Sequence, residues 1–151
     1  MDGGPLTADR RPRTQMTTVQ MDGFKFEKLE VWQLSLEYID NCYAVADGLP
    51  GREEFNLQSQ LIRAGTSIAL NIAEGSTSQT DAEQARFLGL ALRSLVETVA
   101  CRRLAERRRY TNHIKEALLT DGEQVARKLF AKIQAMRRTF REKSASAGRR
   151  S

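Results

Sequence analysis

The sequence predicts an all-α domain, an antiparallel up-down four-helix bundle, on three observations. Four segments place apolar residues at spacings of three and four, the connections between them are short, and no strand pattern interrupts them. A chain of 151 residues is long enough for one domain with a single core and too short for two comfortable ones.

Residues 1–23 contain Gly, Pro, Thr and Arg without periodicity, which predicts a tail disordered in isolation, with Met1, Met16 and Met21 as alternative starts. The bundle domain spans residues 24–143. It opens on Phe24 to Leu29, which alternates like a short extended arm. Leu29, Trp32, Leu36, Ile39 and Tyr43 then mark a first helix to Asp47, ended by Gly48-Leu49-Pro50-Gly51. A second helix starts near Arg52, with Glu53 and Glu54 in the first turn where the helix dipole favours negative charge, and runs to Glu74 with Gly75 as C-cap. Thr80-Asp81-Ala82-Glu83 has the form of a capping box and opens a third helix. Its apolar residues, from Ala85 to Val99, cover half the circumference, so it should face the core and something else. The pattern stops near Arg107 to Asn112 and resumes from Ile114 to Met136, giving a fourth helix to about Arg141. Thr120-Asp121-Gly122-Glu123 leaves two readings open. Gly122 lies inside one long helix at a cost of about 1 kcal/mol, or one helix stops and another begins there. Residues 144–151 read as a disordered tail.

The second helix has two faces. Leu57, Leu61, Ala64, Ile68 and Ile72 form a core stripe; Gln60, Arg63, Ser67, Asn71 and Glu74 recur on the opposite side as a polar row. Solvated helix faces are usually filled with Lys and Glu, whereas Ser and Asn favour caps and turns, so this row should meet another helix or subunit. Ala64, Gly65, Thr66 and Ser67 make a small-residue patch that admits a close neighbour.

Charge is divided unevenly along the chain. The first 100 residues carry 9 Lys or Arg against 14 Asp or Glu, and residues 101–151 carry 15 against 5. A basic last third suits a polyanion, RNA or DNA, since phosphate attracts Lys and Arg irrespective of sequence. The candidate phosphate contacts are Arg102, Arg103, Arg107, Arg108 and Arg109 at the end of the third helix, and Arg127, Lys128, Lys132, Arg137, Arg138 and Arg141 along the fourth. Antiparallel packing puts the Arg107 and Arg137 clusters at opposite ends. Few aromatics lie near them, Tyr110, Phe130 and Phe140, so backbone or shape recognition is favoured over sequence-specific reading of single strands.

Little else carries chemistry. The single histidine, His113, and the separated Cys42 and Cys101 supply neither a metal set nor a nucleophile-and-base pair; no glycine-rich loop precedes a Lys-Ser or Lys-Thr pair. No catalytic residue, metal or cofactor is expected. The cysteines read as buried thiols in a reducing cytoplasm, and no apolar run is long enough for a membrane span or signal peptide.

Leu29-Glu30-Val31-Trp32-Gln33, the run Gln60, Arg63-Ala64, Ser67-Ile68 and Asn71-Ile72-Ala73-Glu74-Gly75, and Glu83 with Arg86-Phe87-Leu88 together resemble the bacterial four-helix-bundle family encoded in intervening sequences of large-subunit ribosomal RNA genes. The chain is also similar to the accessory variability proteins of diversity-generating retroelements, basic bundles that bind nucleic acid and partner a reverse transcriptase. The resemblance implies a ring-like homo-oligomer, a pentamer in characterised members. It also implies that Arg63, Ser67, Asn71, Glu74 and Arg86, with Gln60, build polar contacts between helices or subunits. The reading is a non-enzymatic, homo-oligomeric adaptor that binds RNA or DNA, alongside a reverse transcriptase in its narrower form. The alternative is a structural or protein-interaction module whose basic helix keeps it dissolved.

Overall fold

The computed structural model describes residues 23–150; the predicted N-terminal tail lies, apart from Gly23, outside the described residues. Four α-helices follow one another: α1 (Glu30–Asp47), α2 (Ser59–Ser76), α3 (Asp81–Arg107) and α4 (Glu116–Arg150). Among the described residues there is no strand. α1 packs on α2 and α4, and α3 packs on α2 and α4, so the four close into an up-down bundle. The α1–α2 side is therefore opposite the α3–α4 side. Tyr38, Leu61, Ile68, Ile72, Leu95, Leu129 and Ile133 are almost fully removed from water and form the axis of the core.

The helices start and stop for identifiable reasons, and the structure departs from the sequence reading at four points. First, Lys25–Lys28 is a 3₁₀ turn and not an extended arm. The Phe26 ring meets Trp32 edge-on at 4.6 Å, which requires the chain to curl back onto the first turn of α1. Second, the α2 segment does not begin as an α-helix at Arg52. A 3₁₀ turn (Gly51–Glu53) leads into a π-turn (Glu54–Gln58) with non-helical angles at Phe55. The Glu53 carboxylate accepts from Leu57 N and Asn56 Nδ2, anchoring this widened turn, so that Leu57 points inward while Phe55 stands out in solvent. Third, Gly75 does not cap α2. It is buried inside the helix, and a Cβ there would sit 3.0 Å from Phe87 Cβ, so Gly75 sets the closeness of α2 and α3. Gly65 faces Cys42 and Ile39 of α1 less tightly, since a Cβ there would meet Cys42 at 3.6 Å, an ordinary contact distance. Fourth, α4 is one helix that includes Gly122 and continues through the predicted C-terminal tail to Arg150. Extending an existing helix costs far less than nucleating one, and Ala145 and Ala147 are strong helix formers, so nothing stops it after Lys143.

The α3 start follows the sequence expectation: Thr80 is the N-cap and its hydroxyl accepts from Glu83 N at 3.1 Å. The α3 end is built differently from a glycine-capped one. Arg109 N donates to Glu106 O and Tyr110 N to Ala105 O, a Schellman arrangement with Arg109 in the left-handed region at φ 63. Tyr110 and Ala105 are both buried, and their burial supports the backbone strain of a non-glycine residue there.

Candidate nucleic-acid interface

Phosphate recognition needs guanidinium and ammonium groups that reach water and are not already neutralised. Arg107, Arg108 and Arg109 meet that condition: all three are exposed, and none has an ion-pair partner among the described residues. The Schellman turn fans them around one end of the bundle. Arg108 lies over the Tyr110 ring at 5.9 Å, and Arg52, from the α1–α2 connection, lies over it at 5.5 Å. The Tyr110 hydroxyl donates to Glu53 at 3.2 Å, and His113 Nε2 is 2.7 Å from Gly48 O, so the two connections at this end hold each other. Tyr110 is buried by these contacts and offers no face to a base.

The α4 set divides. Arg127, Lys128, Arg138 and Arg141 are exposed and lack an ion-pair partner among the described residues. Lys132 Nζ is 3.1 Å from Glu30 of α1. Arg137 is half-buried, its Nε donating to Ala85 O at 3.3 Å while its fork lies across Gly89, where a Cβ would come within 3.1 Å. These contacts fix α4 against the start of α3, so the Arg137–Arg141 group is at the opposite end from Arg107–Arg109. Arg103, at the other end, is exposed but donates twice to Glu123, at 2.5 and 3.2 Å, and once to Glu106. That bond and charge hold the Glu123 carboxyl below its ordinary range.

Arg102 is a correction to the sequence reading. Its register on α3 turns it into the bundle, where it is 3% exposed and unable to meet a phosphate. It donates to Asn41 Oδ1, lies 3.9 Å from Cys42 Sγ and sits over the Tyr38 ring at 5.3 Å; its Nε has no partner. Asn41 in turn donates to Leu118 O at 2.8 Å, so the cluster joins α1, α3 and α4. Tyr38 adds a bond to Thr98 Oγ1 at 2.7 Å. Burial pushes the Tyr38 phenol up to about 12, with the Cys42 thiol adding to the shift and Arg102 opposing it; burial likewise raises Cys42. A phenol that holds its proton more tightly when folded stabilises the bundle below the unfolded value near 10, and that contribution is lost as pH rises toward 12. Urea midpoints should therefore fall between about pH 10 and 12, with a shallower fall in Tyr38→Phe; equal slopes would mean that Tyr38 is not the titrating group.

The polar row on α2 has a partner within the chain. Asn71 Nδ2 donates to Ser67 O and Ser67 Oγ, at 2.9 and 3.1 Å, and Ser94 of α3 donates to Ser67 Oγ at 3.0 Å. Ser67 thus serves the α2–α3 contact, and Asn71 bonds Ser67 along α2. Gln60 donates to Asn56 in the π-turn at 2.9 Å. Arg63 and Glu74 are exposed with no ion-pair partner among the described residues, and Arg86 stacks on its neighbour Phe87 at 4.5 Å.

Among the described residues no three His, Cys, Asp or Glu side chains gather as a metal site, and no helix is long and apolar enough to cross a membrane. Residues 27–131 match the family model described as 23S rRNA-intervening sequence protein. No curated protein matches the chain.

Proposed function

Because the chain belongs to the family of 23S rRNA-intervening sequence proteins, we propose that it is a non-enzymatic, homo-oligomeric adaptor that binds RNA or DNA through phosphate contacts in the cytoplasm. The observation that carries this reading is the exposed arginine turn Arg107-Arg108-Arg109, held in place by a strained helix end and free of acidic partners among the described residues. A guanidinium can donate two parallel hydrogen bonds to one phosphate, and three adjacent ones track a backbone without reading its bases. Arg127, Lys128, Arg138 and Arg141 supply a second basic region toward the other end. Arg103, Lys132 and Arg137 are engaged within the chain and contribute less, and Arg102 contributes nothing.

Assembly into a ring multiplies such contacts, since each bound subunit raises the effective concentration of phosphate at the next. The narrower form of the proposal, an accessory role beside the reverse transcriptase of a diversity-generating retroelement, is supported by the likeness of a basic helical bundle. Co-purification with that enzyme is its own test.

The test of nucleic-acid binding is a titration with structured RNA and with duplex DNA at low and moderate salt, repeated with Arg107, Arg108 and Arg109 all changed to Glu. Affinity should fall steeply as salt rises, and the variant should bind about a hundredfold more weakly or worse. If neither nucleic acid binds the unaltered protein at low salt, the proposal fails.

A further inference from the structure

We infer that the Phe55 ring stacks on an unpaired base of the bound nucleic acid, so that the preferred ligand has unpaired nucleotides and is not a continuous duplex. This rests on the phosphate binding of the proposed function and adds an aromatic face beside it.

Phe55 is 90% exposed, more than any other large hydrophobic residue among those described. A scattered apolar side chain at the surface ordinarily needs no account, but the backbone that carries this one is fixed. The Glu53 carboxylate accepts from Leu57 N at 3.4 Å and from Asn56 Nδ2 at 2.9 Å, and Gln60 Nε2 donates to Asn56 Oδ1 at 2.9 Å. Leu57, two residues after the ring, is anchored in the core. The ring therefore projects from a turn pinned on both sides, and little backbone freedom is left to lose when a ligand lies on it.

The turn belongs to the same end of the bundle as Arg107–Arg109. The Glu53 carboxylate that pins it also accepts from the Tyr110 hydroxyl at 3.2 Å, and Arg52 Nε donates to that hydroxyl at 3.5 Å. Arg52 and Arg108, from different connections, both lie over the Tyr110 ring, at 5.5 and 5.9 Å. Tyr110 is buried and holds the two connections together, while Phe55, three residues after Arg52, keeps its ring in water. Arg52 is exposed, like Arg107–Arg109, and has no ion-pair partner among the described residues. Phe55 and the arginine turn are far apart in the chain, so only this tertiary contact shows that an aromatic ring and the free guanidinium groups share one end.

An unpaired nucleotide fits this combination. It offers a flat apolar face with phosphates attached to it, and one ring suffices to stack on that face. In a continuous duplex the faces of the bases are covered by their neighbours. Stacking on an aromatic side chain contributes about 1–3 kcal/mol per base and tolerates any base, so it adds a preference for unpaired strands without reading their sequence. A protein partner suits the ring less well, because a hot spot sits within a surround that excludes water and the residues on either side of Phe55, Glu54 and Asn56, are exposed and polar. Glu54 has no ion-pair partner among the described residues and opposes a phosphate beside the ring, so its charge should weaken binding.

Fluorescence anisotropy of the full chain tests this with hairpins of one stem sequence, blunt or with an unpaired extension, made in RNA and in DNA. The extension should tighten binding about tenfold in the unaltered protein; Phe55→Ala should bring that ratio close to unity, and Phe55→Trp should keep it. Glu54→Gln should tighten binding of the extended hairpin. A fluorescent adenine analogue in the extension reads the stack directly: its emission should fall on binding the unaltered protein and stay high on binding Phe55→Ala. Circular dichroism melts near the unaltered value establish that each variant is folded. An advantage of the extension in RNA and DNA alike supports a contact made by the base alone, and one in RNA only supports the stack with a 2′-hydroxyl contact beside it. If no hairpin binds the unaltered protein at low salt, the proposed function fails and this inference with it. If blunt and extended hairpins bind alike, or the advantage of the extension survives Phe55→Ala, phosphate binding stands and the stacking role is overturned.

Discussion

Arg102→Glu should cost the fold about 3 to 5 kcal/mol, seen as a lower urea midpoint at neutral pH, while Arg107→Glu should change stability by less than about 0.5 kcal/mol. The contrast follows from where the two side chains end. Arg107 ends in solvent, where a reversed charge is hydrated. Arg102 is enclosed by Asn41 Oδ1, the Cys42 thiol and the face of Tyr38, a lining of electron-rich atoms suited to a cation. A carboxylate there would turn its own negative charge against the Asn41 oxygen and the Tyr38 ring, and would take a proton to escape. Among the described residues no carboxylate pairs directly with Arg102, so its charge already carries a burial cost that the hydrogen bond and ring only partly offset. Arg102→Met keeps the volume and removes that burial cost, so it should be tolerated far better than the Glu variant. Equal midpoints for Arg102→Glu and the unaltered chain would mean that the side chain reaches water, and Arg102 would then rejoin the phosphate contacts.

The sequence made the four helices legible because hydrophobic periodicity is set by the same burial that forms the bundle. It placed α1 within one residue at its start and found the Thr80 cap of α3. Of the polar row it singled out, Ser67 accepts from Ser94 on α3, while Asn71 donates to Ser67 on its own helix. The register of α3 held a further signal that composition concealed. Arg102 is seven residues after Leu95, on the buried stripe, so helical spacing alone could have separated it from Arg103 and Arg107. Grouping arginines by nearness in sequence hid the difference. The ends were harder to read. Gly75 spells a C-cap, yet it lies inside α2 and packs closely against Phe87 on another helix. The Glu53 carboxylate that anchors the π-turn before α2 also accepts from Tyr110, 57 residues away. Pairings between distant residues leave no local pattern, which is also why the engagement of Lys132 by Glu30 and of Arg137 by Ala85 was not visible.

Gly122→Val should destabilise the bundle by more than about 3 kcal/mol, although valine has the higher intrinsic helix propensity. In an exposed helix interior, replacing glycine by alanine gains about 1 kcal/mol. At position 122 the reverse sign is expected even for alanine, because α4 passes directly over the cluster that joins it to α1 and α3. A Cβ would overlap Asn41 Oδ1 and lie 2.7 Å from Asn41 Cγ and 2.9 Å from Arg102 Nη2. Asn41 cannot swing away freely, since its Nδ2 is bonded to Leu118 O one turn earlier on the same helix, and Arg102 cannot retreat without losing its acceptor. The added carbon must therefore break a buried hydrogen bond or push α4 outward, and each costs more than the propensity gain. Two methyl groups in valine compound the overlap. Gly148, where nothing lies within 4 Å of an added Cβ, is the internal control: Gly148→Ala should cause no loss. A Gly122→Ala midpoint at or above that of the unaltered chain would show that α4 can shift without cost. The close approach of Asn41 and Arg102 would then not set the helix's position.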